Sequence, residues 1–319
     1  MVHPPTPNDL VYIILLNWGQ WELTLACLAS LSKLRYSNYR VLVVENGSTN
    51  DSAARIQEWI DRQGAATAAG RPAVFTMVRS PTNLGFARGN NLGIAEALRK
   101  NADYVWLLNN DTECDEHALS ALITCSVRND AAIVSSNVLL MADPSRSWYQ
   151  GGWFNPLVAT AHHTSFETFE RLKDRRFLTG CSLFMPASVI RRVGLLDERF
   201  FAYFEDVDYC IRAEAQRVPL RVTLESKVLH HASGTSGLRS EFSYRTNTES
   251  AVVFTAKHYP WYLPSVIGHR VARSLALLLL GRFTSARAVL HGILRGILRG
   301  FMWRNLVTAV LMACAHTIL

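Results

Sequence analysis

Short, nearly unbroken apolar runs alternate along the first 130 residues with longer stretches where leucine, isoleucine or alanine recurs every three or four positions. Positions 11–16, 40–44, 74–79 and 104–108 are five or six residues long, the length and continuity of strands buried on both faces. Between them, Leu23, Leu25, Ala26, Leu28, Leu31 and Leu34 mark an amphipathic helix over 20–34, and similar periodicity predicts helices over 52–63, 85–100 and 116–128. Strands alternating with helices predict an α/β domain with a mainly parallel central sheet. Ligands of such sheets bind beyond the carboxyl ends of the strands. Polar clusters stand at those ends: Asn17, then Glu45-Asn46, then Asn109-Asn110-Asp111. Residues 130–225 read as mixed, with short strands around Gly151-Gly152-Trp153 and over 177–185, then an acidic helix. A strand over 221–228 leads into His230-His231.

Charge divides the chain unevenly. After Glu249 there is no acidic residue, while Lys257 and seven arginines (270, 273, 282, 287, 295, 299 and 304) follow. Residues 250–319 therefore carry +8 and the preceding 249 carry −1, so the formal +7 belongs to the tail. The boundary this suggests separates a catalytic domain, 1–259, from an amphipathic helical tail, 260–319. Six cysteines at 27, 114, 125, 181, 210 and 314 show no metal-knuckle or redox spacing, which predicts free thiols in a reducing compartment. The first nine residues have no basic n-region followed by an apolar h-region, so no signal peptide is expected. No GxGxxG follows the first strand and no GxxxxGK[ST] occurs; Gly85, Gly89 and Gly93 have the wrong spacing for either. No aromatic-basic module supports nucleic-acid binding.

The strongest chemical signal is Phe200-Phe201-Ala202-Tyr203-Phe204-Glu205-Asp206-Val207-Asp208-Tyr209-Cys210-Ile211-Arg212. Four aromatics lead into three acids. Carboxylates against an apolar wall can have raised pKa values and act as bases near neutral pH. The same residues also suit an ordinary helix start, with Asp206 as cap and Asp208–Arg212 as an i, i+4 ion pair.

Five motifs in order, including that one, resemble the family 2 glycosyltransferases, over roughly residues 9–260. The rhamnosyltransferase-like and galactofuranosyltransferase-like enzymes are the nearest subgroup. Val43-Val44-Glu45-Asn46-Gly47-Ser48-Thr49-Asn50-Asp51 resembles the loop that holds the nucleotide base and ribose, with Glu45 where the family usually has Asp. Asn83-Leu84-Gly85-Phe86-Ala87-Arg88-Gly89-Asn90-Asn91 resembles a loop close to the donor. Leu107-Leu108-Asn109-Asn110-Asp111-Thr112-Glu113 sits where the family keeps its metal-binding acids, with Asn109 where many members have Asp. The fourth motif is Glu205-Asp206-Val207-Asp208, and the fifth is His230, with His231 beside it. Tyr244-Arg245-Thr246-Asn247 and Lys257-His258 loosely resemble a family helix near the donor phosphates.

The resemblance implies a GT-A-type nucleotide-diphospho-sugar transferase fold followed by a basic helical tail. It implies an inverting, metal-dependent transfer from a UDP- or dTDP-sugar, rhamnose among them, to a hydroxyl of a cell-envelope glycan acceptor. Asp206 would be the base, and Glu205 and Asp208 would hold the acceptor or brace the helix. Asn17, Glu45, Asn46, Asn83, Arg88, Asn109 and Asn110 would meet the donor. Asp111 and His230 would ligate Mg²⁺ or Mn²⁺, hard ions that suit a carboxylate, an imidazole and phosphate oxygens.

The tail adds a location. Gly292, Gly296 and Gly300 alternate with Arg295 and Arg299 at period four. A basic, acid-free amphipathic helix suits an anionic membrane surface, while a glycine row suits close helix packing. The first reading predicts a cytoplasmic enzyme, peripheral at the inner face of the membrane, acting on a lipid-linked acceptor. A sugar-nucleotide nucleotidyltransferase would need a Gly-rich, Arg-containing loop where this chain has Asn17-Trp18-Gly19-Gln20. A catalytically inactive nucleotide-sugar or glycan-binding module is the other alternative, motivated by Glu45 and Asn109.

Overall fold

The computed structural model describes residues 9–65, 74–231 and 240–316, with side chains on the last helix as far as Gly300. In chain order the first half runs β1 (Val11–Asn17), α1 (Trp21–Leu31), β2 (Tyr39–Asn46), α2 (Ser52–Ala65), β3 (Phe75–Ser80), α3 (Phe86–Arg99) and β4 (Tyr104–Asn109). Then come β5 (Thr112–Cys114), α4 (Ala118–Arg128), β6 (Ile133–Leu140), β7 (Asp143–Tyr149), β8 (Gly152–Asn155), β9 (Thr160–His163), α5 (Phe166–Arg171) and β10 (Arg176–Phe177). The remainder is β11 (Ser182–Pro186), α6 (Ala187–Val193), α7 (Glu205–Ala215), β12 (Leu220–His230), α8 (Glu241–His258), α9 (Leu263–Leu279) and α10 (Phe283–His316).

The expected strand–helix alternation builds one large sheet, ordered β3-β2-β1-β4-β11-β6-β12-β5, with β7 on β6. β3, β2, β1 and β4 are mutually parallel. β11 runs against both β4 and β6, and β12 is parallel to β6. Six strands thus share one direction, while β5, β7 and β11 oppose them. Ile13, Leu15, Val41, Val43, Trp106 and Leu108 are buried against Leu28 and Leu31 of α1, Ile56 of α2 and Leu119 of α4. The glycines that failed as a nucleotide fingerprint have another purpose. A Cβ on Gly89 would lie 2.5 Å from Leu16 Cδ1, and one on Gly93 would lie 2.6 Å from Ile14 Cγ2. Glycine at these two positions lets α3 press directly onto β1.

The chain divides into two compact units. The first holds the large sheet, its helices and α7. The second gathers Asn155–Thr160, Arg199–Phe204 and the chain from α8 onward. The division expected at 259/260 therefore falls inside the second unit, because α8 packs with the tail helices. The period-four glycines explain why. A Cβ on Gly292 would meet the Arg245 carbonyl at 2.5 Å, one on Gly296 would meet Val252 Cβ at 2.6 Å, and one on Gly300 would meet Ala256 Cβ at 3.1 Å. The row is a seam against α8. Arg295 and Arg299 do not form a free cationic row either. Arg295 Nε pairs with Glu249 Oε2 at 3.0 Å and Arg299 Nη1 with Glu249 Oε1 at 2.8 Å. Among the described residues, no helix is long and apolar enough to cross a membrane.

Candidate active site

Parallel pairing brings the polar strand ends to one edge. Asn17 ends β1 opposite Glu45 of β2, and Leu16 lies opposite Asn109 of β4. His230 ends β12, paired with Thr112 of β5. All four strands deliver their last residues in the same direction, where the alternation predicts a ligand.

The β1–β2 end forms a buried hydrogen-bonded patch. Thr24 Oγ1 donates to Asn17 Oδ1 at 2.8 Å, and Asn110 Nδ2 donates to Thr24 Oγ1 at 2.9 Å. Glu45 folds back onto its own turn: its Oε1 accepts from the Ser48 amide at 3.0 Å and from the Ser48 hydroxyl. Ser48 Oγ also accepts from the Gly19 amide at 2.8 Å, tying the ends of β1 and β2 together. Gly47 has φ +72°, and a Cβ there would lie 2.3 Å from the Thr82 carbonyl carbon. Asn46 spends both ends of its amide on the next loop. Nδ2 donates to Asn83 Oδ1 (3.0 Å) and the Gly85 carbonyl (3.3 Å), and Oδ1 accepts from the Leu84 amide (3.0 Å). Asn46 and Asn83 thus shape the loop that starts α3. Arg88 stands exposed on the first turn of that helix, 3.7 Å from Glu198.

Asp111 and His230 meet. Asp111 Oδ1 lies 3.3 Å from His230 Nε2, and both side chains are buried. Neither Asp111 Oδ1 nor His230 Nδ1 has a hydrogen-bond partner. A buried carboxylate oxygen left without a donor is costly, so such a group needs an explanation. A divalent cation would resolve it, since a carboxylate oxygen and an imidazole nitrogen fit the hard-to-borderline ions Mg²⁺ and Mn²⁺. Among the described residues no third His, Cys, Asp or Glu completes such a cluster, so further ligands would come from substrate and water. Asn109, where many relatives have an acid, contributes through its backbone: its amide donates to the Cys181 carbonyl (2.9 Å) and its carbonyl accepts from Thr112 Oγ1 (2.7 Å). His231 donates its amide to the Asp111 carbonyl (3.0 Å), while its ring Nε2 lies 4.0 Å from Glu113. The Ala232–Ser236 stretch beyond it lies outside the described residues. Trp148 packs edge-on against His230 (4.5 Å between centroids) and also against His163 (4.6 Å), whose pKa burial holds down. No motif marked Trp148 or His163; they arrive through the β6–β7 and β8–β9 turns.

The acidic helix separates its three carboxylates by environment. Asp208 follows the plain reading: it is fully buried and paired with Arg212 at 2.8 Å, and Arg212 also donates to the Val193 and Leu195 carbonyls. Asp206 does not act as cap, because α7 begins at Glu205. Asp206 instead accepts from the Gly180 amide through Oδ2 (3.0 Å) and from the Val207 amide through Oδ1 (2.8 Å), and it is half-buried. Burial raises its pKa, against the pull of those amides. Glu205 is buried with Oε2 unpartnered, and burial, then the Asp206 charge, raises its pKa well above the carboxylate range. The residues just before, Tyr203 and Phe204, both have positive φ, +68° and +69°. Such strain in bulky residues is found where a functional group must be aimed. The 179–181 turn joins the parts: Cys181 binds Asn109, Gly180 binds Asp206, and a Cβ on Gly180 would lie 3.2 Å from Phe86 at the start of α3.

The carboxyl ends of the parallel strands thus gather a buried carboxylate–imidazole pair, and α7 presents separate carboxylates of raised pKa. Residues 11–200 match Glycosyl transferase family 2, and the chain belongs to that family. It is 29% identical over 194 residues to galactofuranosyltransferase GlfT1 of Mycobacterium tuberculosis, a match spanning 60% of either chain. The GlfT1 of Mycolicibacterium smegmatis is 26% identical over 76% of this chain and 78% of its own. The N-acetylglucosaminyl-diphospho-decaprenol L-rhamnosyltransferase of M. tuberculosis is 26% identical over 80% of this chain and 87% of its own. Among solved structures, mannosyltransferase PcManGT of Pyrobaculum calidifontis, in complex with GDP-Man and Mn²⁺, superposes with a TM-score of 0.57 at 12% identity, over 92% of this chain and 89% of that one. GalNAc-T7 with UDP, GalNAc and Mn²⁺ gives 0.64 at 11% identity, over 84% and 51%. These likenesses establish the GT-A-type fold.

Proposed function

We propose that this glycosyltransferase transfers a hexose, with inversion, from a UDP- or dTDP-sugar to a hydroxyl of a lipid-linked cell-envelope glycan. The observation that carries the reading is Asp206: a half-buried carboxylate with a raised pKa, fixed by two backbone amides. It would take the proton of the acceptor hydroxyl as that oxygen bonds to the anomeric carbon. The bond from that carbon to the donor diphosphate breaks at the far side, and nucleoside diphosphate leaves. Asp111 and His230 would hold Mg²⁺ or Mn²⁺, which would supply positive charge to the donor diphosphate. Ser48 and Asn17 line the strand ends where the base and ribose would lie, and Arg88 offers a cation to phosphate. The lipid-linked acceptor is supported by the diphospho-decaprenol named for a relative and by the acid-free tail. The same tail supports a peripheral position at the cytoplasmic face of the membrane.

A catalytically inactive binding module is favoured by Glu45 folded onto Ser48 and by Asn109 in place of an acid. Hydrolysis of a UDP-, dTDP- and GDP-sugar panel with Mn²⁺ separates the two. Turnover of one donor that chelator or Asp111→Ala abolishes supports the transferase. Nucleotide binding without turnover supports the module. Once an acceptor is found, Asp206→Asn is expected to lower transfer by about 10²–10⁴-fold, the usual worth of a general base.

A further inference from the structure

The chain between the end of α6 and Glu198 is held from two sides. Asn91 of α3 is buried and grips the backbone of Leu196 with both ends of its amide: Nδ2 donates to the carbonyl (2.9 Å) and Oδ1 accepts from the amide (3.1 Å). From α7, Arg212 donates to the Val193 and Leu195 carbonyls (2.9 Å each). Asn91 Nδ2 donates as well to Glu198 Oε1 (3.1 Å). A buried amide therefore fixes one oxygen of the Glu198 carboxylate. The other oxygen, Oε2, faces Arg88 Nε at 3.7 Å, beyond hydrogen-bond reach. The Arg88 and Glu198 side chains are 60% and 50% exposed, and a loose pair in water adds little to stability.

Arg88 stands where a positive charge serves an anion. It lies in the first turn of α3, whose start carries no side-chain cap. The next residue, Gly89, packs on Leu16 near the end of β1. The positive end of the helix dipole and a guanidinium thus share the crevice edge. A carboxylate fixed at that place opposes anion binding. The two partners are also unequal. Glu198 is tethered through Asn91, whereas Arg88 is a long, exposed arm whose fork can turn from a carboxylate to a phosphate.

We propose that Glu198 is a positioning residue that holds Arg88 when no donor is bound and competes for it with the donor's diphosphate, so that Glu198 sets how tightly nucleoside diphosphates bind and how readily the product leaves. The proposal rests on the reading that Arg88 meets the donor phosphates. The test is calorimetric titration of the full chain with UDP and with dTDP in the presence of Mn²⁺. Glu198→Gln is the informative variant, because a glutamine oxygen can still accept from Asn91 while the charge is gone. At low salt it is expected to tighten binding by about two- to fivefold, the scale of a part-exposed ion pair, with a matching fall in the nucleotide's dissociation rate. Arg88→Gln is expected to weaken binding, and adding Glu198→Gln to it is expected to change nothing further. The gain should vanish near 1 M salt, where charges are screened within about 3 Å. A purely structural role for Glu198 would instead lower both affinity and melting temperature. Binding that is unchanged or weaker in Glu198→Gln overturns the proposal, as does a gain that persists in the Arg88→Gln background. An affinity that Arg88→Gln leaves untouched removes Arg88 from the donor site and takes the proposal with it. An affinity that depends on Arg88 but is indifferent to Glu198→Gln overturns the proposal alone. Absence of nucleotide binding in the wild type overturns both.

Discussion

Replacing Asp111 by Asn should move apo stability and metal response in opposite directions. Asp111 Oδ1 is buried, lacks a hydrogen-bond donor, and lies 3.3 Å from a ring nitrogen that also makes no hydrogen bond to it. An unsatisfied buried polar atom costs about 1–3 kcal/mol. Asn keeps the shape and can turn its NH₂ toward the imidazole, recovering part of that cost, about 1–2 kcal/mol. At about 2–4 °C per kcal/mol for a domain of this size, Asp111→Asn should raise the apo melting temperature by roughly 2–8 °C. The wild type should gain with Mn²⁺, because a ligand that binds only the native state at a hundred times its dissociation constant adds about 2.7 kcal/mol. Asp111→Asn should show little or no such gain. Differential scanning fluorimetry, with chelator and across a Mn²⁺ titration, reads both effects without any donor. A variant that melts lower without metal would refute the claim that this oxygen is orphaned. One that keeps the full Mn²⁺ shift would place the cation elsewhere.

Three further outcomes follow from the same geometry. Glu205 has a raised native pKa, so it favours the fold when protonated, and that contribution is lost as pH rises through the native value; Glu205→Gln should melt like wild type near pH ~4 and increasingly above it at higher pH, in thermal melts across pH. Gly296→Val places methyls where Val252 and the Glu249 carbonyl already stand, and should destabilise by about 1–3 kcal/mol or more, seen as a lower urea midpoint. Trp148→Ala removes the ring that holds His230 edge-on and should weaken Mn²⁺ affinity about 10–100-fold with the fold retained, read as a rightward shift of the Mn²⁺ thermal titration.

Much of this protein was legible in the chain itself. Buried strands read as unbroken apolar runs, so β1 to β4 and the helices between them were expected within a few residues of where they stand. Polar residues at strand ends marked the crevice, because a parallel sheet sends every carboxyl end to the same edge. The Asp208–Arg212 pair followed from helical spacing alone. Other roles depended on contacts between segments far apart in sequence. Gly89 and Gly93 showed only a spacing wrong for a nucleotide fingerprint until α3 was seen to lie against Leu16 and Ile14. Arg295 and Arg299 looked like a lipid-facing row, since periodicity shows that residues share a face but not what that face meets; it meets Glu249, 46 and 50 positions earlier. The longer side chain of Glu45 was visible, but its return onto Ser48 was not. Asp206 was picked out by its neighbours in sequence, yet its hold on the Gly180 amide, 26 residues away, needed the turn before β11 to come round to α7. Local spacing determined which residues carry charge and which strands and helices form. Tertiary packing alone decided which charges are neutralised, which are left orphaned, and therefore which are available for chemistry.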